Sequence, residues 1–370
     1  MTTTTAEHDL LEAARRGDEQ AFERLMAPRR SELHAHCYRM LGSVQDAEDA
    51  LQEALLRAWR GLGRFEGRSS LRSWLYTIAT NTCLNAIERR PQRVLPVDYA
   101  EPTDPEQNFL PPLVETVWVE PYPDARLEDG LAGPEASYEQ RESVELAFVA
   151  ALQHLPANQR AALILREVLG FSAKEVAEAL GTSVPSVNSA LQRARRTLDE
   201  RLPDRSQQAT LRELGDAGLR QVVERYIDAL TRADIPAMLA LLADDANWSM
   251  PPLVAWFGPA EMEGFLANGP LSGKWQWKCR VSSANGQPAV AAYEWHHEHE
   301  AYLPFALNVL ALDGDRISEV TSFIVRSTEG DDEEYFSNFP DQPLDEEAVR
   351  SVFVACGLPP RLEGEPPPQA

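Results

Sequence analysis

Apolar residues recur at the spacing of amphipathic helices through most of the first 230 positions of the chain. The pattern runs through residues 6–60, continues over 71–90 until Pro91 interrupts it, and resumes over 139–202. A further amphipathic helix is predicted over residues 219–230. These stretches predict two all-helical regions, followed by the first helix of a third domain.

The spacing changes to a period of two further along the chain. Trp275, Trp277, Cys279 and Val281 alternate with polar residues, as a strand of a half-buried sheet requires. Three more strands are predicted over residues 289–297, 305–312 and 316–325, separated by Asn285-Gly286, by 298–304 and by 313–315. Helices followed by an antiparallel meander predict an α+β domain.

The chain is therefore predicted to be multidomain. The predicted parts are 1–91, a linker at 92–138, a helical domain at 139–203, the α+β domain at 210–326 and a tail at 327–370. The tail carries a capped helix from Asp345 to Cys356, ended by Gly357, which we expect to pack on another domain.

Two interpretations of the linker remain open. Residues 91–138 hold nine prolines and ten acids against two basic residues, a composition that fits a solvated, disordered spacer. The segment 111–123, however, contains Val114, Val117, Trp118 and Tyr122. Because this segment is too apolar for a pure spacer, we expect it to dock on protein.

Composition bounds the location and the partners of the protein. The chain opens without a basic or apolar leader and contains no apolar run long enough to span a bilayer, so we expect a cytoplasmic protein with no membrane partner. Its four cysteines are scattered without the paired spacing of a zinc site, and no metal or cofactor is predicted.

The net charge of −23 argues against nucleic acid as a partner until the charge is divided by segment. Residues 1–90 carry 13 basic and 13 acidic residues, and residues 139–203 carry 8 of each. The acidic excess lies in residues 91–138 and in residues 204–370, where 12 basic residues face 27 acids. Only the linker and the C-terminal part are therefore expected to repel DNA.

Five arginines and four aromatic residues lie close together between residues 57 and 76. They are Arg57, Arg60, Arg64, Arg68 and Arg72, with Trp59, Phe65, Trp74 and Tyr76. Guanidinium groups hold phosphates while rings stack bases for roughly 1–3 kcal/mol each, which favours an unpaired DNA strand as the ligand. A solvated helix edge above core aromatics is an equally good alternative.

Residues 172–196 predict a helix-turn-helix. Val176, Ala177 and Leu180 form one apolar stripe, Gly181 permits a sharp turn, and a second stripe begins at Val187. The second helix is expected to read DNA, because its exposed positions carry base-reading and phosphate-holding side chains and no acid. The candidates within and just after the 175–194 motif are Ser183, Pro185, Ser186, Asn188, Ser189, Gln192, Arg193, Arg195 and Arg196. An ordinary helical hairpin is the alternative.

Two separate motif blocks resemble one family, the extracytoplasmic-function group of RNA polymerase sigma factors. The blocks at 46–60 and 65–81 resemble its region two, and residues 155–172 with the following helix-turn-helix resemble its region four. The resemblance covers about residues 8–203. It implies a region-two helical bundle that binds core polymerase and melts promoter DNA, and a promoter-reading region four.

The resemblance also implies individual roles. The segment that docks on polymerase corresponds to Asp49, Ala50, Leu51, Gln52, Glu53 and Arg57. The loop that captures a flipped promoter base, and the helix after it, correspond to Arg64, Phe65, Arg68, Ser69, Ser70, Trp74, Asn81, Asn85, Arg89 and Arg90. Linkers of the family thread through polymerase channels, where an acidic linker would mimic a polyanion.

Residues 210–326 resemble SnoaL-like domains of the NTF2-like cone fold, on pattern alone. Some members are enzymes with pocket Asp and His, so Asp244, Asp245, His296, His297 and His299 are candidates, although exposed histidines are the more ordinary interpretation. A pocket for a small ligand is predicted to be lined by Trp248, Trp256, Trp275, Trp277, Trp295 and Phe305, which are otherwise plain core.

Three hypotheses of function follow. The preferred one is a sigma factor, not an enzyme, that binds core RNA polymerase and promoter DNA and carries its own regulatory domain, so that no separate anti-sigma factor is expected. The second is a cyclase- or hydrolase-like enzyme, or a ligand-binding module, fused to a DNA-binding region. The third is a helix-turn-helix regulator that acts without polymerase.

Overall fold

The computed structural model describes residues 5–106, 118–128, 140–328 and 342–364. Contacts divide the chain into two units. The first unit combines Met1–Gln92 with Arg126–Leu202, and the second combines Arg93–Ala125 with Pro203–Ala370. The first part of the linker is therefore grouped with the C-terminal residues.

The first half of the first unit is a bundle of helices. These are α1 (Thr5–Arg15), α2 (Glu19–Met26), α3 (Arg30–Leu41), α4 (Val44–Leu62) and α5 (Leu71–Ile87). Gly42 ends α3 in the left-handed conformation, with φ of 71°. Ser43 then begins α4 by accepting a hydrogen bond from the backbone N–H of Asp46. The apolar face of α4, with Ala47, Leu51, Leu55 and Ala58, packs into the bundle.

The second half of the first unit contains the predicted helix-turn-helix. Its helices are α6 (Ala125–Glu128), α7 (Leu146–Gln153), α8 (Ala157–Leu163), α9 (Ala173–Ala179) and α10 (Val184–Asp199). Ser172 and Glu175 form a reciprocal capping box at the start of α9. Gly181 adopts the left-handed conformation, with φ of 61°, and Ser183 caps α10. The turn chemistry predicted from the sequence is present.

The second unit has helices packed on a six-stranded sheet. Its helices are α11 (Gln207–Thr231), interrupted at Gly215, α12 (Ile235–Leu241) and α13 (Met262–Asn268). Its strands are β1 (Leu242–Ser249), β2 (Trp256–Phe257), β3 (Trp277–Ala284), β4 (Gln287–His296), β5 (Ala301–Asp313) and β6 (Arg316–Ile324). The order across the sheet is β2-β1-β6-β5-β4-β3.

The meander from β3 to β6 is antiparallel, which confirms the α+β prediction for this domain. Strand β5 begins at Ala301, however, within the stretch that was predicted to be a connection. The sequence pattern also missed β1, which pairs parallel to β6. Its buried and exposed residues do not alternate strictly, because its register with β6 shifts between Leu242 and Asn247.

The described part of the tail packs on the same sheet. A short helix α14 (Glu346–Ala348) is followed by a π-helical turn (Val349–Phe353) and a 3-10 turn (Val354–Cys356). The helix ends at Gly357, with φ of 72°. Phe353 is fully buried 5.3 Å from the ring of Tyr293 on β4. Among the helices of residues 5–106, 118–128, 140–328 and 342–364, none combines the length and apolarity needed to cross a membrane.

Candidate polymerase and promoter surfaces

The predicted polymerase-binding segment lies on α4 and divides between two faces of that helix. Asp49, Gln52 and Arg57 are exposed, and Glu53 is half-buried. Arg57 donates to Glu53 Oε1 over 2.7 Å. The other two predicted contacts are buried, Ala50 at 5% and Leu51 at 2% exposure. They therefore support this surface from within the bundle.

Leu56 is a residue of this surface that the sequence reasoning missed. Its side chain is 42% exposed, although it belongs to an otherwise well-buried apolar helix pattern. It follows Gln52 by four positions and Asp49 by seven, so the three share one face of α4. That periodicity is the signal that identifies it.

The predicted base-capturing loop precedes α5. Arg64, Arg68 and Ser69 are exposed, and Ser70 caps α5 by accepting from Ser73 N–H over 3.0 Å. Phe65 is buried, and its ring centroid lies 5.0 Å from that of Trp74. The arginines and serines are therefore open to a ligand, while the two rings are packed against each other.

The four residues predicted to face promoter DNA, Asn81 and Asn85 on α5 and Arg89 and Arg90 just after it, are all exposed. Arg90 forms an ion pair with Asp46 at the start of α4. Asn81 donates through Nδ2 to Thr77 O over 2.8 Å and to Ala179 O, in the helix-turn-helix, over 3.4 Å.

Arg72, in the first turn of α5, joins that helix to the second half of the first unit. Both terminal nitrogens of its guanidinium donate to Leu169 O over 3.2 Å. The guanidinium carbon also lies 4.7 Å from the ring centroid of Phe171 and 5.1 Å from that of Tyr76. The loop and α5 are thus covered in part by the segment before the helix-turn-helix.

Two buried arginines fix this arrangement. Arg39 donates to Ser143 O over 3.1 Å and to Ser143 Oγ over 2.7 Å. Arg160 donates to Met40 O, to Gln153 O over 2.9 Å and to Leu155 O over 3.2 Å. Burial lowers the pKa of Arg160 to about 10, so the group stays charged at neutral pH. These carbonyls replace the water that the buried guanidinium groups give up.

Two histidines of α3 are held neutral in the same bundle. Burial lowers the pKa of His36 to about 3, and its ring contacts Thr80 Oγ1 at 2.9 Å. Burial, with the nearby Arg126, lowers the pKa of His34 to about 4. Arg126 lies 2.7 Å from His34 Nε2 and 3.0 Å from Glu48 Oε2.

The helix α10 presents a polar face that is free of acids through its first fifteen residues. Val187, Leu191, Ala194 and Leu198 are buried against the rest of the domain. The exposed side is formed by the residues predicted from the sequence, which are Pro185, Ser186, Asn188, Ser189, Gln192, Arg193, Arg195 and Arg196. Arg195 donates to Glu167 over 2.6 Å, and Ser183 serves as the cap.

The linker end at Tyr122–Asp124 is bound by the β3–β4 hairpin of the second unit. Tyr122 N–H donates to Asn285 Oδ1, and Asn285 N–H donates to Tyr122 O, each over 2.8 Å. Gly286 N–H donates to Asp124 Oδ1 over 2.7 Å, and Pro123 forms a β-bridge with Ala284. Asn285 and Gly286 have φ of 58° and 67°, so the predicted tight turn also orients their N–H groups.

The linker start is bound by β2. Trp256 Nε1 donates to Ala100 O over 2.7 Å, and Thr103 N–H donates to Trp256 O over 2.8 Å. Within the linker, Arg93 donates to Trp118 O over 2.7 Å. Trp118 and Tyr122 are buried, as their apolar character predicted, while Val114 and Val117 lie outside the described residues.

Four of the six predicted pocket residues line a cavity in the second unit. These are Trp248, Trp275, Trp277 and Phe305. The other two do not line it. Trp256 faces the linker instead, and Trp295 packs on Tyr302 with ring centroids 5.0 Å apart. Aromatic character alone does not indicate which face of a strand a residue occupies, and the sequence therefore did not distinguish these two residues from the four that line the cavity.

The acid and base candidates lie away from this cavity. Asp244 is exposed and accepts a hydrogen bond from Arg316 over 2.8 Å, and Asp245, His297 and His299 are also exposed. His296 is half-buried, with its ring centroid 4.9 Å from that of His299. In the described ranges, the cavity lining includes none of these five residues, and no metal-sized cluster of His, Cys, Asp and Glu occurs.

Comparison with protein families assigns three parts of this architecture. The sigma-70 region 2 model matches residues 25–92, the sigma-70 region 4 model matches residues 145–198, and the SnoaL-like domain model matches residues 223–321. A region 2 bundle and a region 4 helix-turn-helix in this order define the class of protein, a promoter-recognition subunit. The resemblances stated from the sequence are confirmed.

Individual relatives narrow the class. The chain is 44% identical over 312 residues to the ECF RNA polymerase sigma factor SigG of Mycobacterium tuberculosis, and the aligned residues cover 84% of this chain and 82% of that protein. It is 32% identical over 202 residues to the RNA polymerase sigma-H factor of Pseudomonas aeruginosa, and the aligned residues cover 55% of this chain and 96% of that protein. The chain belongs to the extracytoplasmic-function family of RNA polymerase sigma factors, and it directs transcription initiation.

A solved structure has the same fold. The crystal structure of the extracytoplasmic function sigma factor SigJ of Mycobacterium tuberculosis aligns with a TM-score of 0.51 at 20% identity. The alignment covers 80% of this chain and 93% of that one. At this identity the likeness supports the multidomain fold, two helical sigma domains followed by an NTF2-like α+β domain.

Proposed function

We propose that the second unit restrains this sigma factor by binding its linker. The observation that carries the proposal is the attachment of Tyr122–Asp124 to the Asn285-Gly286 hairpin, with one backbone–backbone hydrogen bond, two backbone N–H donors bound by side-chain oxygens, and a β-bridge. Linkers of related sigma factors thread through polymerase. A linker bound along its own C-terminal domain has to leave that domain before it can do so.

The first unit supports the same proposal. Asn81 and Arg72, in the region proposed to hold the melted promoter strand, are engaged by backbone carbonyls of the region-four half. Full access to this surface therefore requires region four to separate from region two. The α4 face with Asp49, Gln52, Leu56 and Arg57 is proposed as the polymerase-binding surface, and the exposed face of α10 as the duplex-reading surface.

The second unit is proposed to act through this contact and not as an enzyme. Its cavity is lined, among the described residues, by no acid and no histidine that could transfer a proton. Because the restraint is built into the chain, a separate anti-sigma factor is not required by the proposal.

The test is run-off transcription by core polymerase with the full chain and with Asn285→Gly or Asp124→Ala. Asn285→Gly removes the acceptor for Tyr122 N–H and keeps a residue suited to positive φ. We expect both variants to give more promoter-dependent transcript than the wild type. The matched control is Asp315→Ala in the exposed β5–β6 turn. Transcript levels that are unchanged or lower in both variants contradict the proposal.

A further inference from the structure

We propose that Arg126 occupies, in the free sigma factor, a site on α4 that a basic group of core polymerase takes over, with Glu48 as the acceptor in both states. The inference rests on the polymerase-binding surface proposed above. It concerns the affinity for core polymerase, whereas the linker contact concerns transcription by the assembled enzyme. Polymerase binding and the departure of Arg126 would then favour each other.

Arg126 lies on the short helix α6 and is held by two acceptors. Its Nη1 atom lies 3.0 Å from Glu48 Oε2 on α4 and 2.7 Å from His34 Nε2 on α3. A guanidinium group only donates hydrogen bonds, so His34 Nε2 is the acceptor and the His34 ring is neutral. The next residue, Leu127, is buried at 2% exposure. Arg126 is therefore placed by the fold in contact with α4.

Glu48 lies beside the proposed polymerase-binding surface. It precedes Gln52 by four positions, so that the two side chains are neighbours on one face of α4, and Gln52 forms a hydrogen bond with the Glu48 carboxylate. The Glu48 side chain is 32% exposed and within reach of a partner. Partial burial acts to raise the pKa of Glu48, but the hydrogen bonds from Arg126 and Gln52 hold it below its usual range. Glu48 is therefore an anion at neutral pH.

The departure of Arg126 changes the charge of this part of α4. Asp49 lies next to Glu48, and the nearby Glu53 has its own partner in Arg57, whose Nε lies 2.7 Å from Glu53 Oε1. While Arg126 is in place, Glu48 also has a counter-charge. Once Arg126 leaves, the surface gains one uncompensated negative charge, which favours a cationic group on the partner.

The contact of Arg126 is suited to exchange. Its side chain is 38% exposed, and ion pairs open to solvent contribute little to stability, so that a competing cation can displace it. Arg126 also follows Asp124, which the Asn285-Gly286 hairpin binds, by only two positions. A linker that leaves to enter the polymerase therefore draws Arg126 away from Glu48.

The test is a fluorescence titration of the labelled full chain with core polymerase at low and at high salt. Arg126→Gln removes the charge and keeps a polar side chain. We expect it to bind core polymerase about three- to tenfold more tightly than the wild type at low salt, and this gain should shrink at high salt because ions screen the exposed carboxylate. Arg126→Lys, which keeps the charge, should bind as the wild type does.

Two further variants assign the effect to the contact with Glu48. The double variant Arg126→Gln with Glu48→Gln should bind no more tightly than Glu48→Gln alone, because the gain passes through that carboxylate. The matched control is Arg15→Gln, which removes an arginine paired with Glu12 over 2.8 Å on α1 and should leave the affinity unchanged.

The outcomes separate this inference from the surface on which it rests. Equal or weaker binding by Arg126→Gln, or a gain that persists in the Glu48→Gln background, overturns the role of Arg126. If Gln52→Ala nevertheless weakens binding, the polymerase-binding surface stands and only the role of Arg126 is lost. Unchanged binding in both Gln52→Ala and Arg126→Gln overturns the surface as well.

Discussion

Replacing Arg72 by alanine should open the first unit. The side chain makes two hydrogen bonds to Leu169 O and lies over the rings of Phe171 and Tyr76. A cation–π contact at an exposed site is worth about 0.5–1 kcal/mol. A hydrogen bond contributes about 1 kcal/mol net. Because Arg72 is exposed, we discount the sum to about 1–2 kcal/mol, which is roughly a 5- to 30-fold shift toward the open form at 1.4 kcal/mol per tenfold.

The assay is energy transfer between dyes on the two halves of the first unit. Cysteines introduced at the exposed positions Arg60 and Asp199 carry the dyes. Cys279 and Cys356, which are half-buried, are replaced by serine, while Cys37 and Cys83 are buried and protected from labelling. We expect Arg72→Ala to increase the low-transfer population and Arg72→Lys to give a smaller increase, because lysine keeps the charge and loses the planar fork.

The control is Arg64→Ala, which removes an exposed arginine of the loop before α5. It should leave the transfer distribution as in the wild type. An unchanged distribution in Arg72→Ala, or an equal change in Arg64→Ala, would refute the idea that Arg72 secures region four against region two.

Three further predictions concern the other surfaces of the first unit. Leu56→Asp should weaken core polymerase binding by about 1–3 kcal/mol while leaving the thermal midpoint nearly unchanged, since the side chain is 42% exposed; equal binding in a fluorescence titration would contradict the assignment. Gln192→Ala should reduce discrimination between promoter and mutated DNA, whereas Arg196→Ala should weaken binding to all sequences and lower its salt dependence, and gel shifts at two salt concentrations compare the two variants. His36 and His34 are neutral when folded, with pKa values of about 3 and 4 against 6.5 when unfolded, so their contribution to stability is present above pH 6.5 and is lost as the pH falls below it. The loss is about 2 kcal/mol per histidine between pH 6.5 and 5; urea unfolding at these two pH values should show a smaller loss for His36→Gln than for the wild type.

The helical parts of the chain were predictable because their signals are local. Capping residues such as Ser172 and Ser183, the turn glycine Gly181 and the apolar stripes all lie within a few positions of the elements they define. The Asn285-Gly286 turn was predicted correctly for the same reason, because its signal lies in the two turn residues themselves. The exposure of Leu56 was missed because its hydrophobic character predicts burial, and only the bundle shows that no neighbouring helix covers it in the described part of the chain.

The relations between distant segments were not predictable from patterns. Tyr122 and Asn285 are 163 positions apart, and nothing in the sequence around either residue indicates that the Tyr122 backbone bonds to the side chain and the backbone N–H of Asn285. The same is true of Arg160, which a helical pattern assigns to a solvated face and which the structure buries against Met40 O. For the cavity, composition suggested aromatic lining, but the separation of Trp248 from Trp256 and Trp295 depends on strand pairing and on the packing of the linker.

A reversible disulfide across the linker contact would show whether the linker must leave the second unit before transcription can start. Pro123 and Ala284 are bridge partners, so Pro123→Cys with Ala284→Cys, in a chain with Cys279→Ser and Cys356→Ser, places two thiols across the linker contact. We expect the oxidised, cross-linked chain to give little run-off transcript with core polymerase, and reduction to restore transcription to the level of either single-cysteine control. Equal transcription by the cross-linked and reduced forms would show that the linker need not leave the second unit, and that its binding there does not restrain the sigma factor.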